Sequence, residues 1–358
     1  MSPFQIRPEQ AVQELLEFNQ KLAEGLKTLV EIEKVEVGMT PKEAVYQEDK
    51  LVLYHYQPLI NSPNPTPVLI IYALVNRPYM MDLQTNRSLI KKLLEVGQDI
   101  YLIDWGYPDH ADHHLTLDDY INGYIYRCVK IINKRHTINK INLLGVCQGG
   151  TFSLCYSAIY PETVKNLITM VAPVDFKTPD NLLSHWVQKL NIDLLVDTMG
   201  NIPGELLNRT FLSLKPFRLS EQKYLDMIDN LSNPELTRNF LRMEKWIFDS
   251  PDQAGEAFRQ FAKEFFQENR LMTGNLVIGK HRIDLTNLTM PILNLYASED
   301  HIVPPKASKA LKQLVGTEDY TEISFRGGHI GIYVSHRAQK EIPAVIGNWL
   351  DARSGGND

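Results

Sequence analysis

The feature that most constrains this chain is the pentapeptide Gly145-Val-Cys-Gln-Gly149, which follows the apolar run Lys140-Ile-Asn-Leu-Leu-Gly145 directly. It is followed at once by a stretch of helical character, residues 151–160. A strand, a tight turn and a helix in immediate succession form a nucleophile elbow, with Cys147 where a serine usually stands. Side chains at the two flanking glycines would collide with the neighbouring strand and helix, because the nucleophile's turn is strained. A helix N-terminus beside the sulfur favours both the thiolate and a developing oxyanion. Taken alone, the same five residues also fit a small cysteine buried in an ordinary core.

Two further groups separate these readings. In the fold that uses such an elbow, an acid and then a histidine follow the nucleophile in the chain, each just past a later strand. Asp300 lies in Ser298-Glu-Asp-His-Ile-Val-Pro304 after the apolar run at 292–297, and His329 lies in Arg326-Gly-Gly-His-Ile-Gly331 after the run ending at Phe325. Glu299 and His301 compete for the acid and neighbouring roles. An oxyanion hole needs the backbone N–H after the nucleophile, here Gln148, and one from the loop after an early strand. That loop is Leu74-Val-Asn-Arg-Pro78, which offers Val75 or Asn76. Asp104-Trp-Gly-Tyr-Pro108 ends the next strand and either lines the pocket or forms a plain turn. Cys128 and Cys155 fall on apolar helix faces and read as core.

The remaining pattern predicts an α/β-hydrolase fold: a mostly parallel sheet with helices on both faces and an inserted lid. Residues 51–56, 67–73, 99–104, 140–145 and 166–172 read as strands. A helix capped by Thr116 carries Leu117, Tyr120, Ile121, Tyr124, Ile125, Cys128, Ile131 and Ile132 on its apolar face. The alternation of strand and helix breaks over 175–280, the expected lid, and resumes with a strand at 290–297, a helix at 305–314, a strand at 320–325 and a helix at 337–350. The division is therefore 1–174 and 281–358 for the core and 175–280 for the insertion. An amphipathic helix is expected over 8–34, and a frayed polar tail at 354–358.

Bulk properties narrow the function. With 358 residues, 44% of them hydrophobic, the chain can bury a large core. A formal net charge of −6 gives no basic face for nucleic acid. The longest apolar run, residues 68–75, is far short of the roughly 20 residues that cross a bilayer, so no transmembrane segment is expected. The N-terminal residues lack a signal-peptide pattern, and three cysteines make no disulfide framework. These features predict a cytoplasmic protein.

Together with Tyr72-Ala-Leu-Val-Asn-Arg-Pro-Tyr-Met-Met-Asp-Leu-Gln84, Asp104-Trp-Gly-Tyr-Pro-Asp109 and Asp300-His-Ile-Val-Pro304, the elbow and the histidine motif resemble the catalytic subunit of class III polyhydroxyalkanoate synthases. That short form works with a second, non-catalytic subunit of the PhaE type. The resemblance implies an acyltransferase that polymerises (R)-3-hydroxyacyl-CoA, such as 3-hydroxybutyryl-CoA, into polyester and releases coenzyme A. It implies Cys147 as acyl carrier, His329 as the base that activates it, and Asp300 as the acid that assists the incoming hydroxyl. It implies no cofactor, since the coenzyme A thioester is the substrate, and no metal. It also implies a homodimer or hetero-oligomer at the surface of polyester granules, with a lid that opens on dimerisation or partner binding. The alternatives are a cysteine thioesterase or dienelactone-hydrolase-like enzyme on the same fold, and a non-enzymatic granule coat.

Overall fold

The computed structural model describes residues 35–214 and 233–354. The helix expected over 8–34 and the tail beyond 354 lie outside the described residues, as does part of the expected lid. Eight strands form the central sheet: β1 (Lys42–Glu48), β2 (Leu51–Tyr56), β3 (Val68–Ile71), β4 (Ile100–Asp104), β5 (Ile141–Val146), β6 (Val164–Met170), β7 (Ile292–Ala297) and β8 (Tyr320–Phe325). Their order is β1-β2-β4-β3-β5-β6-β7-β8. The pairs β1–β2 and β2–β4 are antiparallel, and every other pair is parallel.

The central strands carry almost unbroken aliphatic sequence because both faces of the sheet are covered. With a period of two, Leu69, Ile71 and Leu143 enter one core, while Val68, Ile70 and Leu144 enter the other. Helix α1 (Leu89–Glu95) covers the second face, and α2 (Tyr126–His136) and α3 (Gln148–Ile159) cover the first. The insertion contributes α4 (Gly204–Ser213) and α5 (Pro234–Phe248), and the chain closes with α6 (Ala338–Asp351), which joins α1 on its face. Helix α1 starts where the Ser88 hydroxyl accepts the Lys91 N–H at 2.9 Å, a cap worth about 1 kcal/mol. Leu89, Ile90, Leu93 and Leu94 of α1 are wholly buried, each contributing roughly 1.5–3 kcal/mol.

Three details refine the sequence expectations. Thr116 caps its helix reciprocally: its hydroxyl accepts the Asp119 N–H, and the Asp119 carboxylate accepts the Thr116 N–H at 2.8 Å. The helix then runs as a π-helix over Asp119–Ile125 before α2 begins, and Ile131 alone of the expected apolar face is only partly buried. Strand β3 stops at Ile71, although the apolar run continues to Val75, and Gly149 of the elbow packs against the Ile71 and Tyr72 carbonyls at its end.

The described part of the insertion is mainly helical and falls into two parts. Helices α4 and α5 stand beside Cys147 and line its cavity. Residues 254–278 instead reach into the first core, where the Phe265 ring lies 4.6 Å from Phe261 and 5.5 Å from Phe176.

Candidate active site

Cys147 stands between the last residue of β5 and the first of α3, with φ +54° and ψ −125°. This left-handed conformation costs on the order of 1–3 kcal/mol in a residue with a side chain, and the surroundings hold it in place. The Cys147 N–H donates to the Met170 carbonyl at 2.9 Å, and its own carbonyl accepts the Gly150 N–H at 2.9 Å. The flanking glycines are required by contact. A Cβ on Gly149 would lie 2.1 Å from the Ile71 carbonyl oxygen, and one on Gly145 would lie 2.4 Å from the Ser153 hydroxyl.

Asp300 and His329 reach Cys147 from the loops after β7 and β8. His329 Nδ1 donates to Asp300 Oδ2 at 2.7 Å, and the carboxylate side chain is 0% exposed. The other carboxylate oxygen, Oδ1, accepts two backbone N–H groups, from Ile302 and Val303, each at 2.9 Å. Both oxygens of Asp300 are thus engaged. His329 also interacts with Cys147, beside it in the cavity wall. Burial lowers the imidazole's affinity for a proton. The interactions with Asp300 and Cys147 outweigh burial and push the pKa up to about 10.

Of the competing residues, Glu299 is exposed, beside Arg326 at 3.6 Å, and His301 lines the cavity. It is Asp300 that meets the histidine. Cys128 and Cys155 are wholly buried, and burial pushes both thiols well above their ordinary range; Cys147 is the partly exposed thiol.

Gln148 contributes twice. Its backbone N–H opens α3 beside the sulfur, and its side-chain Oε1 accepts the Leu74 N–H at 3.0 Å, fastening the start of the 74–78 loop. Among the described residues no acceptor is found for the N–H of Gln148, of Val75 or of Asn76. Val75 and Asn76 both line the cavity, and Asn76 has φ +59°. Residues 104–108 are absent from the cavity wall. Asp104 and the Gly106 carbonyl hold the Arg77 guanidinium at 2.8 Å each, and the Tyr107 ring stacks on it at 4.1 Å. This segment buttresses the 74–78 loop rather than lining the pocket.

The cavity measures about 640 Å³ and presents chiefly apolar side chains from α4 and α5, among them Phe211, Phe240, Met243 and Ile247. Tyr72 and Tyr333, which sequence reasoning missed, also face it and share a hydrogen bond near Cys147. Burial holds both phenols far above their ordinary range, so they are neutral. Tyr333 stands on the short helix Gly331–Val334 that begins two residues after His329, and no motif in the sequence marked it.

Comparison with known proteins identifies the family. The alpha/beta hydrolase fold family matches residues 66–335, and the family described as Poly-beta-hydroxybutyrate polymerase (PhaC) N-terminus matches residues 9–93. The poly(3-hydroxyalkanoate) polymerase subunit PhaC of Allochromatium vinosum is 61% identical over 99% of this chain and 100% of its own. The protein of the same name from Synechocystis is 54% identical over 99% and 96%. Among solved structures, the monoacylglycerol lipase of Paleococcus ferrophilus superposes with a TM-score of 0.55 at 17% identity, over 86% of this chain and 100% of that one, a likeness of fold. With relatives so similar over nearly their full length, the chain belongs to the PhaC family of poly(3-hydroxyalkanoate) polymerase subunits, built on the α/β-hydrolase fold.

Proposed function

We propose that the chain is an acyltransferase that polymerises (R)-3-hydroxyacyl-CoA, such as 3-hydroxybutyryl-CoA, into polyester through a thioester on Cys147. The observation that carries the mechanism is the continuous contact from Cys147 through His329 to Asp300 at the floor of an apolar cavity. The thiol proton passes to His329, and the sulfur attacks the thioester carbonyl. The N–H groups of Gln148 and Val75 receive the oxyanion. Coenzyme A leaves with the proton from His329, and the acyl group stays on Cys147 as a thioester of similar energy.

In the second half-reaction the 3-hydroxyl of the next unit, or of the growing chain, gives its proton to His329 and attacks the Cys147 thioester. An ester forms, and the sulfur leaves with the proton. Because both Asp300 oxygens are occupied, its part is to orient and charge-balance His329 rather than to reach the hydroxyl itself. Water must be kept from the acyl-enzyme, and the apolar walls from α4 and α5 serve that end. The family's setting extends the reading to a PhaE-type partner subunit, a homodimer or hetero-oligomer, and a cytoplasmic location at the granule surface. No helix among the described residues is long and apolar enough to cross a membrane.

The test is coenzyme A release from (R)-3-hydroxybutyryl-CoA, with and without the partner subunit, assayed together with insoluble polyester and compared with Cys147→Ala. Release coupled to polymer and lost in the variant is expected. Release that yields only free hydroxy acid identifies a thioesterase instead.

A further inference from the structure

The 74–78 loop and the C-terminal end of α5 are joined by hydrogen bonds that the catalytic steps do not use. The Asn76 side-chain amide donates to the Trp246 carbonyl at 3.3 Å, the Ile247 carbonyl at 3.4 Å and Asn208 Oδ1 at 3.2 Å. The Trp246 and Ile247 carbonyls belong to the last turn of α5, where carbonyls have no intrahelical N–H donors, so Asn76 caps α5 from outside. In the other direction, the Trp246 indole N–H donates to the Arg77 carbonyl at 2.8 Å. Three residues later Asp249 accepts the Tyr79 hydroxyl at 2.9 Å and the Tyr107 hydroxyl at 2.6 Å. Both phenols are held above their ordinary range, first by burial and then by Asp249, with Tyr107 at about 12, so both remain donors at neutral pH.

Val75 lies between two pinned neighbours: Leu74, fastened by Gln148, and Asn76, fastened by α5 in a left-handed conformation that an L-residue adopts only under constraint. A backbone N–H stabilises a transition state only when it is aimed beforehand at the oxyanion. We infer that Trp246 and Asp249 at the end of α5 are positioning residues for the oxyanion hole, holding the Val75 N–H in register with Cys147. The inference rests on the reading of Cys147 as nucleophile and of Val75 as donor. It gives the insertion a part in transition-state stabilisation, separate from shielding the acyl-enzyme.

The test uses the full-length chain with Trp246→Phe, which keeps the ring's bulk and removes the N–H, and the series Asp249→Asn and Asp249→Ala. Three quantities are measured: kcat and KM for (R)-3-hydroxybutyryl-CoA, and the rate of Cys147 alkylation by iodoacetamide, a reaction that develops no oxyanion. Expected for Trp246→Phe and Asp249→Ala is a fall in kcat of roughly 10- to 100-fold, short of the complete loss of a donor, with KM and alkylation within about twofold. Asp249→Asn keeps one acceptor oxygen and should fall between wild type and Asp249→Ala. Because Asp249 is partly exposed, the Asn variant remains folded and informative if Trp246→Phe does not. Unchanged kcat, or alkylation falling in step with kcat, overturns the inference. Turnover surviving in a parallel Cys147→Ala control overturns the nucleophile reading beneath it, which separates the two failures.

Discussion

Replacing Asp300 by Asn tests the site at its least accessible point. In the folded chain Oδ1 of Asp300 holds the Ile302 and Val303 N–H groups, and Oδ2 receives His329 Nδ1. Asparagine has one oxygen and one amide nitrogen. The oxygen is retained by the two backbone donors, so the loop keeps its shape, and the NH₂ faces His329 Nδ1. Two donors cannot share a proton, so the imidazole moves its own proton to the nitrogen facing Cys147 and can no longer accept one from the thiol. The variant also removes a charge-assisted hydrogen bond in a fully buried site, worth about 1.5–3 kcal/mol in holding the ring. The tautomer effect dominates. A loss of about 10³- to 10⁴-fold in kcat is expected, as when the triad aspartate of a serine protease is changed the same way, equivalent to about 4–5.5 kcal/mol of barrier. The assay is steady-state coenzyme A release by wild type and variant at matched thermal stability. A kcat within tenfold of wild type would refute the argument that Asp300 sets the state of His329.

Four other outcomes follow from the same geometry. His329 binds its proton more tightly folded, with a pKa near 10, than its ordinary 6.5, so its stabilising contribution is complete below about pH 6.5 and is lost as pH rises through 10. The gap in urea midpoint between wild type and His329→Gln should therefore narrow from pH 6.5 to 10; a gap that widens contradicts the assignment. Gly149→Ala places a Cβ 2.1 Å from the Ile71 carbonyl and should cost about 3 kcal/mol or more, seen as a lowered urea midpoint and lost turnover. Phe265→Ala empties a fully buried site in the first core and should cost about 3–5 kcal/mol in denaturant unfolding, which would not occur if residues 254–278 were a detachable cover. A thiol-titrating dye should count one cysteine in the folded chain and three in denaturant, because Cys128 and Cys155 are wholly buried.

Much of this was legible in the sequence, and the reason is local. Gly145 is dictated by contacts within the elbow itself, at Ser153 and Gly150, and Gly149 by the end of the neighbouring strand at Ile71, so a glycine on each side of the cysteine announces the turn. The strands that carry Asp300 and His329 are apolar runs ended by polar loops, and their order in the chain is fixed by the fold. What could not be read was set by contacts between distant segments. Nothing around Arg77 shows that Asp104 and Gly106 will hold it, and nothing around Asn76 shows that it will reach the Trp246 carbonyl in the last turn of a helix, 170 positions later. The strand expected over 67–73 ends already at Ile71, where Gly149 of the elbow packs against its last carbonyl. The aromatic residues at 261 and 265 have a helical spacing that fits a lid or a core equally, and only their meeting with Phe176 decides between them.

The size of the cavity bears on a property of the product. Its volume of about 640 Å³ is that of a pocket for one drug-sized molecule, whereas the proposed product is a chain of many repeats. Only the newest units can remain inside while the older ones lie beyond the protein. The walls therefore inspect each incoming monomer but have no contact by which to count how many came before. Molecular weight would then be a kinetic quantity, the ratio of elongation to chain release. Substitutions deep in the pocket should change which monomers are accepted before they change how long the polymer becomes.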